Sequence, residues 1–427
     1  MLTKPLKEYR NGPAALKLAL GALAVAVVIS MAAILGGGQK TGDEALGGST
    51  AFGNAGGGNW TKYSKLEINY TKASGTVDLI DYPLLLTEAN VPAAIFTGAQ
   101  ESGCDIRFGT TADNPPTDNS IFTEYAFEKV GFATSTSKAE IYVKIPVLSV
   151  TATTTLYVIY SNTSATCNAA TDTYGRNNTW TNYAAVFHLD SALNAQGGTN
   201  MDEAGTPTYP AGKFGNAIDL GTSNTTKYLS VATNYGIING TTTQQAWVKI
   251  RTEPSNTSQN FVYLGATNPG YLGQYSRYVD TAGTKTLAWT RTKKSIADQT
   301  ISTGITAMGT SNWHQVIYRF SAAEATLSII YDKEKIGSTA ASGNGTNSYA
   351  DRSAIGAEHN SAGGIMNIAS AYIDEVRYSA KAISFAQAEM EYANQTDPGT
   401  FTSYNPEGAF GGAVTASDIF NSILEDE

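Results

Sequence analysis

The chain contains three histidines, His188, His314 and His359, and none is spaced from another His or a Glu as in a zinc motif. Glycoside hydrolysis needs two carboxylates across one sugar bond. Asp374 and Glu375 are adjacent, and successive strand residues point to opposite faces, so they are not expected to share a cleft. No Glu-x-Asp-x-Glu run, nucleophile elbow or phosphate-cradling glycine motif occurs. No catalytic residue is therefore assigned. Tyr263, Tyr271, Tyr275 and Tyr278 form the densest aromatic set. An aromatic face suits the C–H side of a pyranose, although such rings also serve as cross-strand packing. Cys104 and Cys167 allow one disulfide in an oxidising exterior, or else two separate buried thiols.

Composition narrows the frame that must position these groups. Charged residues are only 15%, while Gly counts 42 and Tyr 24, a balance suited to many short strands joined by turns. Lys4, Lys7, Arg10 and Lys17 against Glu8 give the first 35 residues +3, so the formal −9 of the whole chain leaves −12 for the rest. A body that acidic is repelled by phosphate backbones, which excludes nucleic acid as the expected partner.

Leu18 to Leu35 is an uncharged apolar run behind a basic stretch, just long enough to span a bilayer as a helix. The basic residues ahead of it place the N-terminus in the cytoplasm and everything after Gly36 outside. Ser30-Met31-Ala32 fits signal-peptide cleavage after Ala32, but the run continues through Leu35, which favours a retained membrane anchor. A pilin-type leader processed at Gly12 is the third reading. It is weakened by Lys17, where bacterial type IV pilins carry Glu, and by Asn11, where archaeal ones usually carry a charge.

Residues 36–58 form a Gly-rich linker. From Trp60 the pattern turns to period two: Leu66, Ile68 and Tyr70 alternate with Glu67 and Asn69, and Ile141, Val143 and Ile145 alternate with Tyr142 and Lys144. The expected organisation is an anchor or signal segment at 1–35, the linker at 36–58, a small antiparallel β-domain at 59–182, a larger β-sandwich at 183–396 and a tail at 397–427. The only helix signal after the anchor is Ser384-Phe385-Ala386-Gln387, which has the form of a capping box.

The first β-block resembles the DUF2341 family. The matching pieces are Trp60, Asp81 to Leu86, Cys104 to Phe108, Val143 to Pro146 and Leu156 to Tyr160 followed by Ser161-Asn162. The second resembles the concanavalin A-like, laminin-G-type family. It carries Val186 to Leu189, Gly212-Lys213-Phe214-Gly215-Asn216-Ala217-Ile218, Gln245 to Lys249, Asn312-Trp313-His314-Gln315-Val316 and Ile373-Asp374-Glu375-Val376-Arg377-Tyr378. Tyr331-Asp332-Lys333-Glu334 departs from the usual Asp-Gly hairpin turn, so a longer or differently shaped loop is expected there.

The resemblance implies an all-β chain: a small antiparallel β-sandwich followed by a concanavalin A-like jelly roll with Trp247 and Trp313 in its core. It also implies a structural Ca²⁺ between Asp202 and Asp374, the Asp positions that hold the ion in several relatives. The expected role is a cell-surface adhesion protein that contacts extracellular glycan or another surface protein. The alternative is a self-assembling filament or surface-layer subunit, and a glycan-active enzyme is disfavoured. Asn-x-Ser/Thr acceptors for N-glycosylation occur at Asn59, Asn69, Asn162, Asn177, Asn224, Asn239, Asn256, Asn344 and Asn394.

Overall fold

The computed structural model describes residues 60–409, apart from 73, 112–121, 223–225, 234, 237–239, 267–272, 294–295, 342–350, 361–363 and 406. Leu18 to Leu35, Tyr271, Asn59, Asn224, Asn239 and Asn344 lie outside the described residues. Among the described residues no helix is long and apolar enough to cross a membrane. The fold is mostly β, built from antiparallel sheets.

The first sandwich pairs a three-stranded sheet with a six-stranded one. In the former, Lys138–Leu148 lies between Leu79–Thr87 and Phe127–Ala133. In the latter, Lys62–Ile68 and Thr154–Tyr160 are central. Period-two alternation sends Leu66, Ile68, Ile141, Val143, Ile145, Leu156 and Val158 into one apolar core. Residues expected to form a tail return to this sandwich. Thr402–Tyr404 and Gly408–Ala409 both pair with Lys62–Ile68, and Phe401 enters the core. The returning strands cover backbone groups that an open edge would leave exposed.

The second sandwich has two seven-stranded sheets. In one, Ala371–Ser379, Thr242–Ile250 and His314–Ser321 are neighbours, and Ala185–Phe187 pairs with Ala371–Ser379. In the other, Gly273–Thr281 and Ser258–Ala266 lie between Thr284–Lys293 and Asp351–Ile355. Phe187, Val248, Phe261, Leu264, Leu287, Trp289, Val316, Ile329 and Ile373 fill the space between them.

The two sandwiches meet over a seam. Leu85 and Tyr142, on the outer face of the three-stranded sheet, pack against Trp180, Tyr183 and Val186. Helix Phe385–Thr396 lies along it, and its Met390 enters the core of the first sandwich. Ser384 caps this helix by accepting from Gln387 N at 3.0 Å. Gln387 does not complete the capping box; its side chain donates to Glu391 at 2.7 Å instead, because Glu391 is buried and needs donors.

Three local expectations change in the structure. Asp332 and Lys333 form a two-residue hairpin turn with φ of 46° and 70°, joining the paired Tyr331 and Glu334, and not a longer loop. The Asp332 carboxylate holds that turn by accepting from Gln315 N at 2.9 Å and bonding His314 Nδ1 at 2.6 Å. Trp247 is buried, but on the outer sheet face, stacked on Tyr392 of the helix at 5.7 Å. Trp313 precedes its strand and is only half-buried, near Tyr372.

Candidate functional site

The tyrosine set divides between the two faces of its sheet. Tyr275 and Tyr278 are three residues apart on one strand, so the pleat turns them in opposite directions. Tyr278 is fully buried in the sandwich core, and its hydroxyl donates to Glu253 at 2.5 Å and accepts from Met308 N at 3.1 Å. Tyr263 is on the outer face but fully buried, with His359 5.7 Å away ring to ring. Tyr275 alone among the described members of the set keeps part of its ring exposed. It packs at 5.3 Å on Tyr263, and the Arg277 guanidinium lies 4.6 Å over it. Arg277 forks Glu358 through Nε at 2.8 Å and a terminal nitrogen at 2.7 Å, and Asn367 donates to Glu358 at 2.7 Å.

The structure does not bring Asp202 and Asp374 together. Asp202 is exposed on Asp202–Ala204, the terminal strand of one sheet, whereas Asp374 is fully buried in the other. The Asp374 carboxylate accepts Lys213 N at 2.8 Å, Phe214 N at 3.1 Å and Glu375 N at 2.8 Å. The Gly-Lys-Phe-Gly loop therefore folds around the Asp of Ile-Asp-Glu-Val-Arg. A Cβ on Gly212 would stand 2.6 Å from that carboxylate, which leaves glycine as the residue that fits.

Asp374 and Glu375 also overturn the rule of opposite faces. Gln245 pairs with Arg377 while Trp247 pairs with Asp374, so Ala371–Ser379 carries one extra residue, and Glu375 takes φ of 51°. The bulge breaks the alternation and puts both acids into one buried cluster at the seam. Glu375 bonds His188 Nδ1 at 2.5 Å and Arg377 at 2.7 Å. His188 Nε2 lies 2.9 Å from Glu128, which also accepts from Trp180 Nε1 at 2.5 Å. Arg377 is walled by Tyr142 and Trp180, with its guanidinium 5.0 and 4.9 Å from their ring centres.

The electrostatics follow from this geometry. Burial alone would lower the pKa of His188, but Glu375 and Glu128 raise it well above its ordinary value. With both ring nitrogens donating, His188 has no lone pair to act as a base. Burial opposes ionisation of Glu375, yet His188 and Arg377 hold its pKa down at about 2. Glu140, on the same outer face as Tyr142, is pushed up to about 8 by burial and then by Glu375. Glu140, His188 and Glu375 each offer one ligand atom, and these atoms lie within 4.8 Å of one another. Glu128, Glu140 and His188 carried no motif spacing, and only the contact between the two sandwiches brings them together.

Residues 222–388 match the profile of the concanavalin A-like lectin/glucanases superfamily. The second sandwich is laminin-G-like. The match stops short of Glu128, Glu140 and His188, so the seam draws on residues beyond it. A comparison with curated proteins finds no match. Among solved structures, the chain is similar to the binding domain of botulinum neurotoxin DC in complex with SialylT, at 14% identity and a TM-score of 0.41 over 51% of this chain and 52% of that one. It is also similar to the binding domain of paraclostridial mosquitocidal protein 1, at 14% identity and a TM-score of 0.39 over 51% and 53% of the two chains. Domain 4 of a GH43 extracellular arabinanase from Geobacillus stearothermophilus, in complex with arabinotriose, matches at 15% identity and a TM-score of 0.38 over 49% of this chain and 98% of that one. The chain thus spans about half the length of the toxin domains it matches.

The remaining assigned positions are structural or peripheral. Cys104 and Cys167 are joined by a disulfide. Asn394 and Asn162 are buried, and Asn394 spends its amide on the backbone of Leu85, so neither presents a glycan acceptor. Asn69 and Asn177 are half-buried, and Asn256 is exposed.

Proposed function

We propose that the chain is an extracytoplasmic, membrane-anchored surface protein that binds extracellular glycan through the outer face of its second sandwich. The observation that carries this reading is the partly exposed Tyr275 ring beside the Arg277–Glu358 fork, within the segment matched to the lectin and glucanase superfamily. A ring with a fixed polar fork at its edge offers a sugar an apolar surface and directional hydrogen bonds together. Leu18–Leu35 supplies the anchor in this reading, and residues 36–58 the tether. The test is a glycan array probed with the purified chain and with Tyr275→Ala. Retention of a defined glycan class, weakened at least tenfold by the substitution, supports the proposal. An array on which the chain retains nothing overturns it.

A further inference from the structure

We propose that Glu140, His188 and Glu375 hold a divalent cation of the zinc–manganese class in the seam between the two sandwiches. This site is separate from the Tyr275 face and does not depend on glycan binding.

Charge balance is the first ground. Glu128, Glu140, Asp190, Asp374 and Glu375 converge where His188 and Arg377 supply the positive charge. Buried charges are paired or coordinated, because an unpaired one loses its hydration without return. Glu128 and Glu375 are met by His188, Trp180 and Arg377, and Asp374 by three backbone amides. Glu140 is the exception: it is 7% exposed, its carboxylate receives no hydrogen bond among the described residues, and it lines a cleft beside Gly215.

Geometry is the second ground. Glu140 Oε2 and Asp190 Oδ1 approach to 2.5 and 2.9 Å the point where a Cβ on Gly215 would lie. Gly215 has φ of 40°, so the loop presents bare backbone to two carboxylates. Ligands about 2.0–2.2 Å from an ion stand about 2.8–3.1 Å apart when cis and about 4.0–4.4 Å apart when trans in an octahedral shell, and about 3.3–3.6 Å apart in a tetrahedral one. The 2.5 Å contact between His188 and Glu375 must open, and the 4.8 Å limit of the trio must close, by about half an ångström for an octahedral shell and by about 1 Å or slightly more for a tetrahedral one, and the ion takes the place of the proton on His188 Nδ1, which leaves to solvent. Both lie within side-chain adjustment. An imidazole beside carboxylates selects zinc or manganese over calcium, which takes oxygen shells. Water can complete the shell from two clefts: one of about 390 Å³ lined by Glu128, His188 and Asp190, and one of about 630 Å³ lined by Glu140 and Gly215.

The experiment dialyses the purified full chain against Zn²⁺, Mn²⁺ and Ca²⁺ separately, then measures bound metal and thermal unfolding with and without EDTA. The expected result is about one equivalent of Zn²⁺ or Mn²⁺, a melting temperature raised by the ion and restored by EDTA, and little response to Ca²⁺. Glu140→Gln preserves shape but removes the anionic ligand, and should weaken the apparent affinity at least tenfold. If that variant does not fold, Asp190→Asn at the rim of the site should weaken it severalfold. Wild-type protein that takes up neither Zn²⁺ nor Mn²⁺, or binding unchanged in the variant that folds, would overturn the proposal and leave Glu140 holding a proton.

Discussion

Asn394 grips both backbone groups of Leu85, accepting from its N–H at 2.8 Å and donating to its carbonyl at 2.9 Å. Leu85 lies on Leu79–Thr87, an outer strand of the three-stranded sheet. The amide side chain therefore does there what a neighbouring strand would do, and it ties the helix at the seam to the first sandwich.

Asn394→Ala should then leave the buried Leu85 N–H without a partner and its carbonyl with only the 3.4 Å bond from Asn90. An unmet buried group costs about 1–3 kcal/mol, so the variant should lose about that much in urea unfolding. A midpoint equal to that of wild type would show that the bond pair does not hold the seam.

The two tryptophans of the laminin-G-like motifs should behave differently. Trp247→Ala removes a ring clamped between Tyr392 and the Lys213 ammonium, 4.6 Å from its centre, and should cost about 3–5 kcal/mol. Trp313→Ala removes a half-buried ring and should cost less than half as much. Equal losses would contradict the placement of Trp313 at the rim.

Much of this frame was legible in the residues. Ile141, Val143 and Ile145 announce a strand with one core face, and five ordered motifs announce the larger sandwich. The opposite face was harder to read. Glu140 and Tyr142 alternate with that apolar row as solvent-facing residues would, and only the packed second sandwich reveals that they are covered. The bulge at Glu375 was hidden for a different reason. No glycine marks it, because His188 and Arg377 hold the acid in a backbone conformation that its own side chain disfavours.

Tyr275 and Tyr278 supply a matched pair of outcomes. Tyr278→Phe removes bonds to Glu253 and Met308 in the interior, and should cost about 1 kcal/mol of stability while leaving glycan affinity unchanged. Tyr275→Ala should reduce affinity with little change in melting temperature. Titration of one glycan against both variants, beside their thermal unfolding, separates the two faces. The reverse pattern would move the binding surface elsewhere.

The hairpin at Asp332 sets a pH dependence that can be worked out in sign. Burial by itself would lower the pKa of His314, but its bond to Asp332 raises it above the ordinary value. A histidine whose pKa is higher in the folded state stabilises the fold fully below its unfolded pKa, near 6.5, and that contribution is lost as the pH climbs through the folded value. The stability advantage of wild type over His314→Gln should therefore be largest at about pH 6 and shrink towards about pH 9. Chemical denaturation at several pH values reads this directly, and a difference that stays constant, or widens as the pH rises, would mean that the bond holds a neutral imidazole. The same contact bears on the turn. Lys333 sits at φ of 70° without the freedom of glycine, so loosening Asp332 at high pH should also speed hydrogen exchange at Gln315, whose amide that carboxylate accepts.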